Sequence, residues 1–281
     1  MLMVVRVGFL KLGNIGTAPL IELLLDERAE REDVEFRVVG TGPKLAPEHA
    51  VDAAKKLAEF KPDLAIVVSP NATLPGPTQG RETLAEAGIP TIVISDAPTK
   101  QIRQELEEKG FGYIIVEADP MIGARREFLD PVEMALFNVD VIKVLAITGV
   151  FNLIQRELNA VIEAVKRGEK PTLPRVVVTR MKAVEAAGFT NPYAKAKALA
   201  AYETAKNVAT LTTAACFKIK EWEKYTLTAA SAHEMIRAAS KLAEEAREIE
   251  KSQDTVLRTP HHKDGTILTK RKLIEKPKRP E

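Results

Sequence analysis

Cysteine occurs once in 281 residues, as Cys216, so the chain can form no internal disulfide and no cysteine-based metal site. Such a chain suits a reducing cytoplasm. Aromatic residues make up only 5%, with a single tryptophan, and asparagine plus glutamine total 12 against 80 charged residues. Few thermolabile amides among many Lys, Glu and Arg suit a thermophilic source. No apolar run approaches the roughly 20 residues that span a bilayer. Met1 to Leu10 is short and carries Arg6, so it reads as a first strand rather than a signal peptide. Charge of one sign is also lacking: 41 basic against 39 acidic residues give +2, which argues against a nucleic-acid surface. Only the end is uneven. Arg258 to Glu281 holds eight Lys/Arg against three Asp/Glu, which is either a solvated terminus or a clamp for an anionic ligand or a neighbouring subunit. What is present, 45% hydrophobic residues, suffices for one large domain or two modest ones and excludes disorder, collagen and a disulfide scaffold.

The first 120 residues alternate β-branched runs with amphipathic stretches. Strands are expected at Met3–Leu10, Val34–Gly40, Asp63–Ser69, Pro90–Ser95 and, last, Tyr113–Val116. Helices are expected at Thr17–Arg28, Pro47–Phe60, Gln79–Ala87 and Thr99–Lys109. Alternation at these lengths means βαβ units and a mainly parallel, Rossmann-like sheet. Beyond Asp130 the pattern becomes helical. Asp130-Pro131-Val-Glu133 is a helix start, with Asp as N-cap, Pro in the first turn and Glu three residues after the cap. Helical spacing then runs to about Lys166, with a break at Thr148-Gly149. A strand-like run at Arg175–Thr179 interrupts, and helices resume over Pro192–Val208 and Thr228–Lys251. The apolar faces of these Ala-rich helices are either bundle core or subunit interface. Asp264-Gly265 is a tight-turn dipeptide between two extended pieces. The expected organisation is an α/β ligand-binding domain over 1–125, an α-helical bundle over 126–252 and a small C-terminal β segment over 253–281.

Ligands of an open α/β sheet bind beyond the carboxyl ends of its strands. Lys11-Leu-Gly13-Asn14-Ile-Gly16-Thr17 follows the first strand and keeps the last two glycines of a dinucleotide fingerprint, but Lys11 stands where the first belongs. Its helix start remains a generic anion site. Pro70-Asn71-Ala-Thr-Leu-Pro75-Gly76-Pro77 reads as a rigid, non-helical proline loop. Asp96 either N-caps the next helix or meets ligand. Arg125-Arg126, beside Glu127 and Asp130, form a salt-bridge network or fork onto a carboxylate or phosphate. His49, His233 and His261-His262 lack metal-site spacing, so no metal is expected. No Walker loop, nucleophile elbow or paired-carboxylate hydrolase pattern occurs.

Several long blocks carry a resemblance. Gly13-Asn-Ile-Gly-Thr17, Leu25-Asp-Glu-Arg-Ala29, Asp33-Val-Glu-Phe-Arg-Val-Val-Gly-Thr41, the run from Ala118 to Ala135, Ser231-Ala-His-Glu-Met235 and Leu257-Arg-Thr-Pro-His-His262 resemble the coenzyme F420-dependent methylenetetrahydromethanopterin dehydrogenases of methanogenic archaea. The resemblance runs from the first strand to the tail. It implies reversible hydride transfer between methylene-tetrahydromethanopterin and C5 of a dissociable deazaflavin, in one-carbon metabolism. It also implies no metal or bound prosthetic group, and a homo-oligomer, a hexamer arranged as a trimer of dimers. Gly13, Asn14, Gly16, Thr17, Ser69, Pro70, Asn71, Asp96, Ala97 and Pro98 are then expected around F420, and Asp119, Met121, Arg125, Arg126 and His233 around the pterin carrier. Asp96, Asp119, Glu127 and Asp140 are the carboxylates expected to offset the developing iminium charge. Two loops depart from the family's usual pattern. Asn71 is followed by Ala72-Thr73-Leu74 in place of Pro-Ala-Ala, and Pro98 by Thr99 in place of Gly. The competing readings are an NAD(P)-dependent dehydrogenase of a one-carbon carrier and a non-catalytic small-molecule sensor.

Overall fold

β3 (Leu64–Ser69) is buried at every position, the signature of a strand covered on both faces. A computed structural model describes residues 3–280 and places β3 near the middle of a six-stranded, all-parallel sheet. The other strands are β1 (Val5–Lys11), β2 (Val34–Gly40), β4 (Thr91–Ser95), β5 (Gly112–Val116) and β6 (Arg175–Val178), in spatial order β2-β1-β3-β4-β5-β6. Successive side chains leave opposite faces of the sheet. Val7 and Phe9 of β1 with Ile66 and Val68 of β3 join the larger core, while Leu10, Ala65 and Val67 join a second core under α2 (Pro47–Glu59) and α3 (Pro75–Glu86).

The larger core is continuous with the helices beyond residue 130. It takes in α1 (Thr17–Asp26), α5 (Pro131–Ile147) and α6 (Val150–Lys166) and reaches Tyr202, Ala205 and Val208 of α8 (Pro192–Thr213) and Ile236 and Ala239 of α9 (Trp222–Ser252). Asp130 caps α5, its side chain accepting from Glu133 N, as the sequence predicts. The Ala-rich faces of α8 and α9 turn out to be core: Ala194, Ala198, Ala201 and Ala205 are buried with Ala232, Ala239, Ala243 and Ala246. Small side chains let the two backbones pack closely. No single helix among the described residues is long and apolar enough to cross a membrane.

Several expectations need correction. The last strand is not Tyr113–Val116, because Arg175–Val178 joins the same sheet as β6, parallel to β5. Pro75-Gly76-Pro77 is no loop. It forms the first turn of α3, where proline's missing N–H costs no helical hydrogen bond. The segment from Ala97 starts as a 3-10 helix (Ala97–Ile102) before α4 (Arg103–Glu108), and α7 (Arg180–Ala187) was not foreseen. α8 runs on into a π-helical turn over Ala214–Lys218.

The C-terminal segment pairs antiparallel at Arg258–Lys270, His261–Ile267 and Thr269–Lys278 around the Asp264-Gly265 turn. It is sewn to the first βα unit. Glu27 accepts from the His261 backbone N–H and meets His261 Nδ1. Buried Asp33 accepts from Arg31, lies 3.6 Å from Lys166 Nζ, and leaves no room for a side chain at Gly265. The tail's three arginines are spent internally rather than offered to an anion. Arg258 donates to the Val256 and Arg271 carbonyls, Arg271 to those of Gly188 and Thr255, and Arg279 to Asp264.

Gly149, at φ +99°, makes the break between α5 and α6, and a Cβ there would lie 2.0 Å from the Ala183 carbonyl oxygen. Gly149→Ala combines left-handed strain with overpacking and is expected to lower stability by about 2–4 kcal/mol. Chemical denaturation checks this; an unchanged midpoint contradicts it.

Candidate functional site

The strand order reverses between β1 and β3, since β2 lies on one side of β1 and all later strands on the other. Loops leaving the carboxyl ends of β1 and β3 therefore diverge and open a crevice. Gly13, Gly16 and Thr17 are buried on one wall with Asn14 half-buried, and Asn14 Nδ2 reaches Asn138 Oδ1 of α5 at 3.3 Å. Ser69, Pro70 and Asn71 form the other wall, followed by Asp96, Ala97 and Pro98 at the end of β4.

The start of α1 is closed from within. Gly16 N–H donates to Asp119 Oδ1 and Thr17 N–H to Oδ2, each at 2.8 Å. A carboxylate on a helix N-terminus satisfies free N–H groups and opposes the helix dipole. A Cβ at position 16 would lie 2.4 Å from Val141 Cγ1 and 2.7 Å from Asp119 Oδ1, so only glycine permits this approach. Asp119 is fully buried, and burial raises its carboxyl to about 6 against the pull of the Thr17 and Gly16 donors. Two expectations change accordingly. The Gly16 and Thr17 N–H groups are not open to a ligand anion, and Asp119 positions this loop instead of facing a substrate.

The two departures from the family pattern meet at one point. Ala72 N–H donates to Thr99 Oγ1 and to Ser95 Oγ, both at 3.2 Å. Proline at 72 would have no N–H and glycine at 99 no hydroxyl, so the two changes form one bond. Ser95 Oγ donates to the Ser69 carbonyl at 2.6 Å, and Arg81 Nη1 donates to the Ala72 carbonyl at 2.6 Å. Arg81 is 1% exposed, and its burial in α3 gave no signal in the sequence.

Asp96 fulfils the capping reading, its side chain accepting from Ala97 N at the start of the 3-10 helix. Burial, with the charges of Asp119 and Glu117 behind it, pushes its carboxyl well above the usual range. Glu117, at the end of β5, was also missed as a functional group. It accepts from Lys100 at 2.6 Å and Lys206 at 3.2 Å, and these cations hold its carboxyl low despite burial.

Other predicted residues lie elsewhere. Asp140 and His233 line a groove of about 440 Å³ between α5 and α9. His233 Nδ1 lies 3.2 Å from Glu133, its ring contacts Phe128 and Phe137, and burial lowers its pKa. Arg125 is not free for a carboxylate or phosphate. Its Nε donates to Ala215 O at 2.8 Å and its Nη2 to Cys216 O at 2.7 Å, with the guanidinium 4.3 Å above the Tyr225 ring. These π-turn carbonyls lack helical partners, which is what an arginine fork can satisfy. The Arg126 side chain is 95% exposed, 4.0 Å from Glu127, while Met121 is half-buried. Hydrogen bonds from its own backbone N–H and from Tyr225 hold the Glu127 carboxyl low. Among the described residues no three His, Cys, Asp or Glu side chains gather as a metal-binding group.

Residues 5–278 match the family model described as methylene-5,6,7,8-tetrahydromethanopterin dehydrogenase. The F420-dependent methylenetetrahydromethanopterin dehydrogenase of Archaeoglobus fulgidus is 62% identical over 275 residues, 98% of this chain and 100% of that protein. The protein of the same name from Methanocaldococcus jannaschii is 54% identical over 276 residues, with the same coverage. A solved structure, an F420-dependent methylene-tetrahydromethanopterin dehydrogenase in complex with methylene-tetrahydromethanopterin and coenzyme F420, superposes with TM-score 0.94 at 50% identity. It covers 98% of this chain and 100% of its own.

Asp119→Asn sets an amide donor against a backbone donor and is expected to cost about 1–3 kcal/mol. In the unaltered protein the folded carboxyl, at about 6, lies above the ordinary aspartate value of 3.8, so this group's contribution to stability falls as pH rises between those values. Only the ionised form grips both N–H groups fully. Ligand affinity at the crevice should therefore rise through about pH 6, and the rise should vanish in Asp119→Asn; titration calorimetry across that range checks both. Arg125→Ala should lower stability by about 1–3 kcal/mol through the abandoned carbonyls and leave ligand affinity unchanged. A large loss of affinity at full stability would return Arg125 to the ligand site.

Proposed function

The chain belongs to the methylene-5,6,7,8-tetrahydromethanopterin dehydrogenase family, and we propose from that premise that hydride passes at the crevice beyond the carboxyl ends of β1 and β3. The enzyme is an F420-dependent oxidoreductase that converts methylene- to methenyl-tetrahydromethanopterin reversibly, in one-carbon metabolism. The observation that carries this function is the likeness, over 98% of the chain, to the structure solved with both ligands.

Loss of hydride from the methylene bridge leaves a cation stabilised by the adjacent nitrogens, so the chain need supply no nucleophile. When bound, coenzyme F420 supplies C5 of its deazaflavin ring as the hydride acceptor. The protein's work is to hold two planar ring systems in contact and exclude water. The crevice suits this work. Buried Ser69 Oγ has no partner among the described residues, and the flanking loops are fixed by Asp119 on one side and by Ala72 on the other. We assign Gly13, Asn14, Ser69, Pro70, Asn71, Ala97 and Pro98 to the coenzyme, with Gly16 and Thr17 as its support. Met121, Arg126 and His233 are assigned to the carrier side. Of the four carboxylates, Asp96 and Asp119 are buried at this edge; Asp119 is taken up by the Gly16 and Thr17 N–H groups, so Asp96, in its ionised form, is assigned the electrostatic stabilisation of developing positive charge.

An NAD(P)-dependent reading loses support here, because the helix start that would seat a pyrophosphate is occupied by Asp119. We further propose that the enzyme works in the cytoplasm as a homo-oligomer, a hexamer built as a trimer of dimers. Exposed Val132, Leu136 and Val139 follow one another at helical spacing along α5 and offer an apolar contact face.

The test is spectrophotometric. Methylene-tetrahydromethanopterin is offered with coenzyme F420, NAD and NADP in separate reactions, with no metal added. Bleaching of the deazaflavin band with F420 alone is expected, and folded protein that turns over with NAD or NADP but not F420 overturns the assignment. Sedimentation equilibrium at micromolar protein is expected to give six chains; a monomer removes the hexamer.

A further inference from the structure

Pro70 and Asn71 are spanned between two fixed points. The Ser69 carbonyl is held by Ser95 Oγ on one side, and on the other Ala72 is held at its N–H by Ser95 and Thr99 and at its carbonyl by Arg81. Three side chains from three elements, Arg81 of α3, Ser95 of β4 and Thr99 of the 3-10 helix, thus converge on a loop only five residues long before α3 begins. The guanidinium of Arg81 is almost wholly buried, with its Nε unpartnered among the described residues and Glu105 3.7 Å from Nη2, so its desolvation is offset only in part and its hold on the Ala72 carbonyl is costly unless that carbonyl's place matters.

The amide of Asn71 is also fixed, and its orientation is decided by chemistry. Oδ1 accepts from the Thr73 backbone N–H at 3.0 Å and from Thr73 Oγ1 at 2.7 Å. A backbone N–H can only donate, so the atom facing it must be the oxygen and the amide cannot be flipped. Asn71 Nδ2 has no partner among the described residues, although the residue is half-buried at the crevice. Beside it stands the buried, unpartnered hydroxyl of Ser69.

We propose that Asn71 is the crevice's orienting hydrogen-bond donor: its amide is locked by Thr73 so that Nδ2 reads a carbonyl acceptor on the ring of the bound ligand. The acceptor is assigned to the deazaflavin, which rests on the reading that places coenzyme F420 at this loop. Arg81, Ser95 and Thr99 are positioning residues, acting on the ligand only through the place they give Asn71. A site built to donate to a carbonyl discriminates strongly, because the lone donor is left unpaired when the acceptor is missing.

Asn71→Asp is the decisive variant. A carboxylate accepts both Thr73 bonds unchanged, so the thermal midpoint should not move, while the presented group changes from donor to acceptor. Coenzyme F420 binding, measured by calorimetric titration in the absence of carrier, should weaken at least about tenfold, with KM for F420 rising alike and KM for the carrier within about twofold. Asn71→Ser keeps a short acceptor for Thr73 but lacks the amide, and should lose affinity similarly; it carries the test should the aspartate variant fail to fold. Thr73→Val removes the hydroxyl yet leaves the N–H, and should loosen F420 by less than either. F420 affinity and both KM values unchanged in a folded Asn71 variant overturn the proposal. A rise confined to the carrier's KM upholds the donor role and overturns the placement of F420 at this loop.

Discussion

The carboxylate of Asp119 sits on the first two free N–H groups of α1, and the geometry of the crevice follows from that contact. Asp119 stands just after β5, while the loop it holds follows β1, with β3 and β4 between them in the sheet. The contact therefore ties the two sides of the carboxyl edge together and brings α5 in behind, because Gly16 must lie against Val141. It also decides what kind of ligand the edge accepts. A Rossmann-type nucleotide site offers its helix start to a pyrophosphate, whereas here that charge is supplied permanently by the protein. What remains for a ligand is the hydrogen-bonding chemistry of the loops, Asn14, Ser69 and Asn71 among them, and the crevice between them.

The second wall achieves the same fixity without a carboxylate. Ala72 contributes only its backbone, yet hydroxyls from β4 and the following 3-10 helix and a guanidinium from α3 all end on it. Hydride transfer is steeply sensitive to the separation of donor and acceptor, and preorganised walls lower the cost of bringing two rings into register. The helices beyond residue 130 serve this rigidity from below. The alanine seam of α8 and α9 and the shared core with β1, β3, β4 and β5 leave little room for one part to rock against another.

Periodicity makes much of the architecture readable in the sequence alone. The buried run Leu64–Ser69, the Asp130-Pro131-Val-Glu133 helix start and the Thr148-Gly149 break are local signals, and local physics settles them. β6 was harder, since four residues in a helical context carry no mark of which sheet they join; only pairing with β5 decides it. The proline-rich start of α3 misled because Pro and Gly suit a turn and a helix's first residues equally. In the site, positions at strand ends were legible from sheet topology, but the direction of each side chain was not. Arg125 beside Arg126 looks like an anion site in sequence, and becomes a strut once the π-turn supplies two open carbonyls. Arg81 was invisible for the opposite reason: nothing in α3 distinguishes a buried arginine from an exposed one.

The stitching of the C-terminal segment onto the first βα unit has a consequence in time. Glu27 emerges from the ribosome 234 residues before His261, the partner that covers it. At bacterial-type elongation rates of about 5–20 residues per second, that interval is roughly 10–50 s. Throughout it, the earliest-made layer of the molecule lacks its fastening, and Asp33 waits for both Lys166 and the Gly265 turn before it is enclosed. The chain thus completes its first unit last, so a nascent or shortened polypeptide differs from the finished enzyme at its beginning as much as at its end.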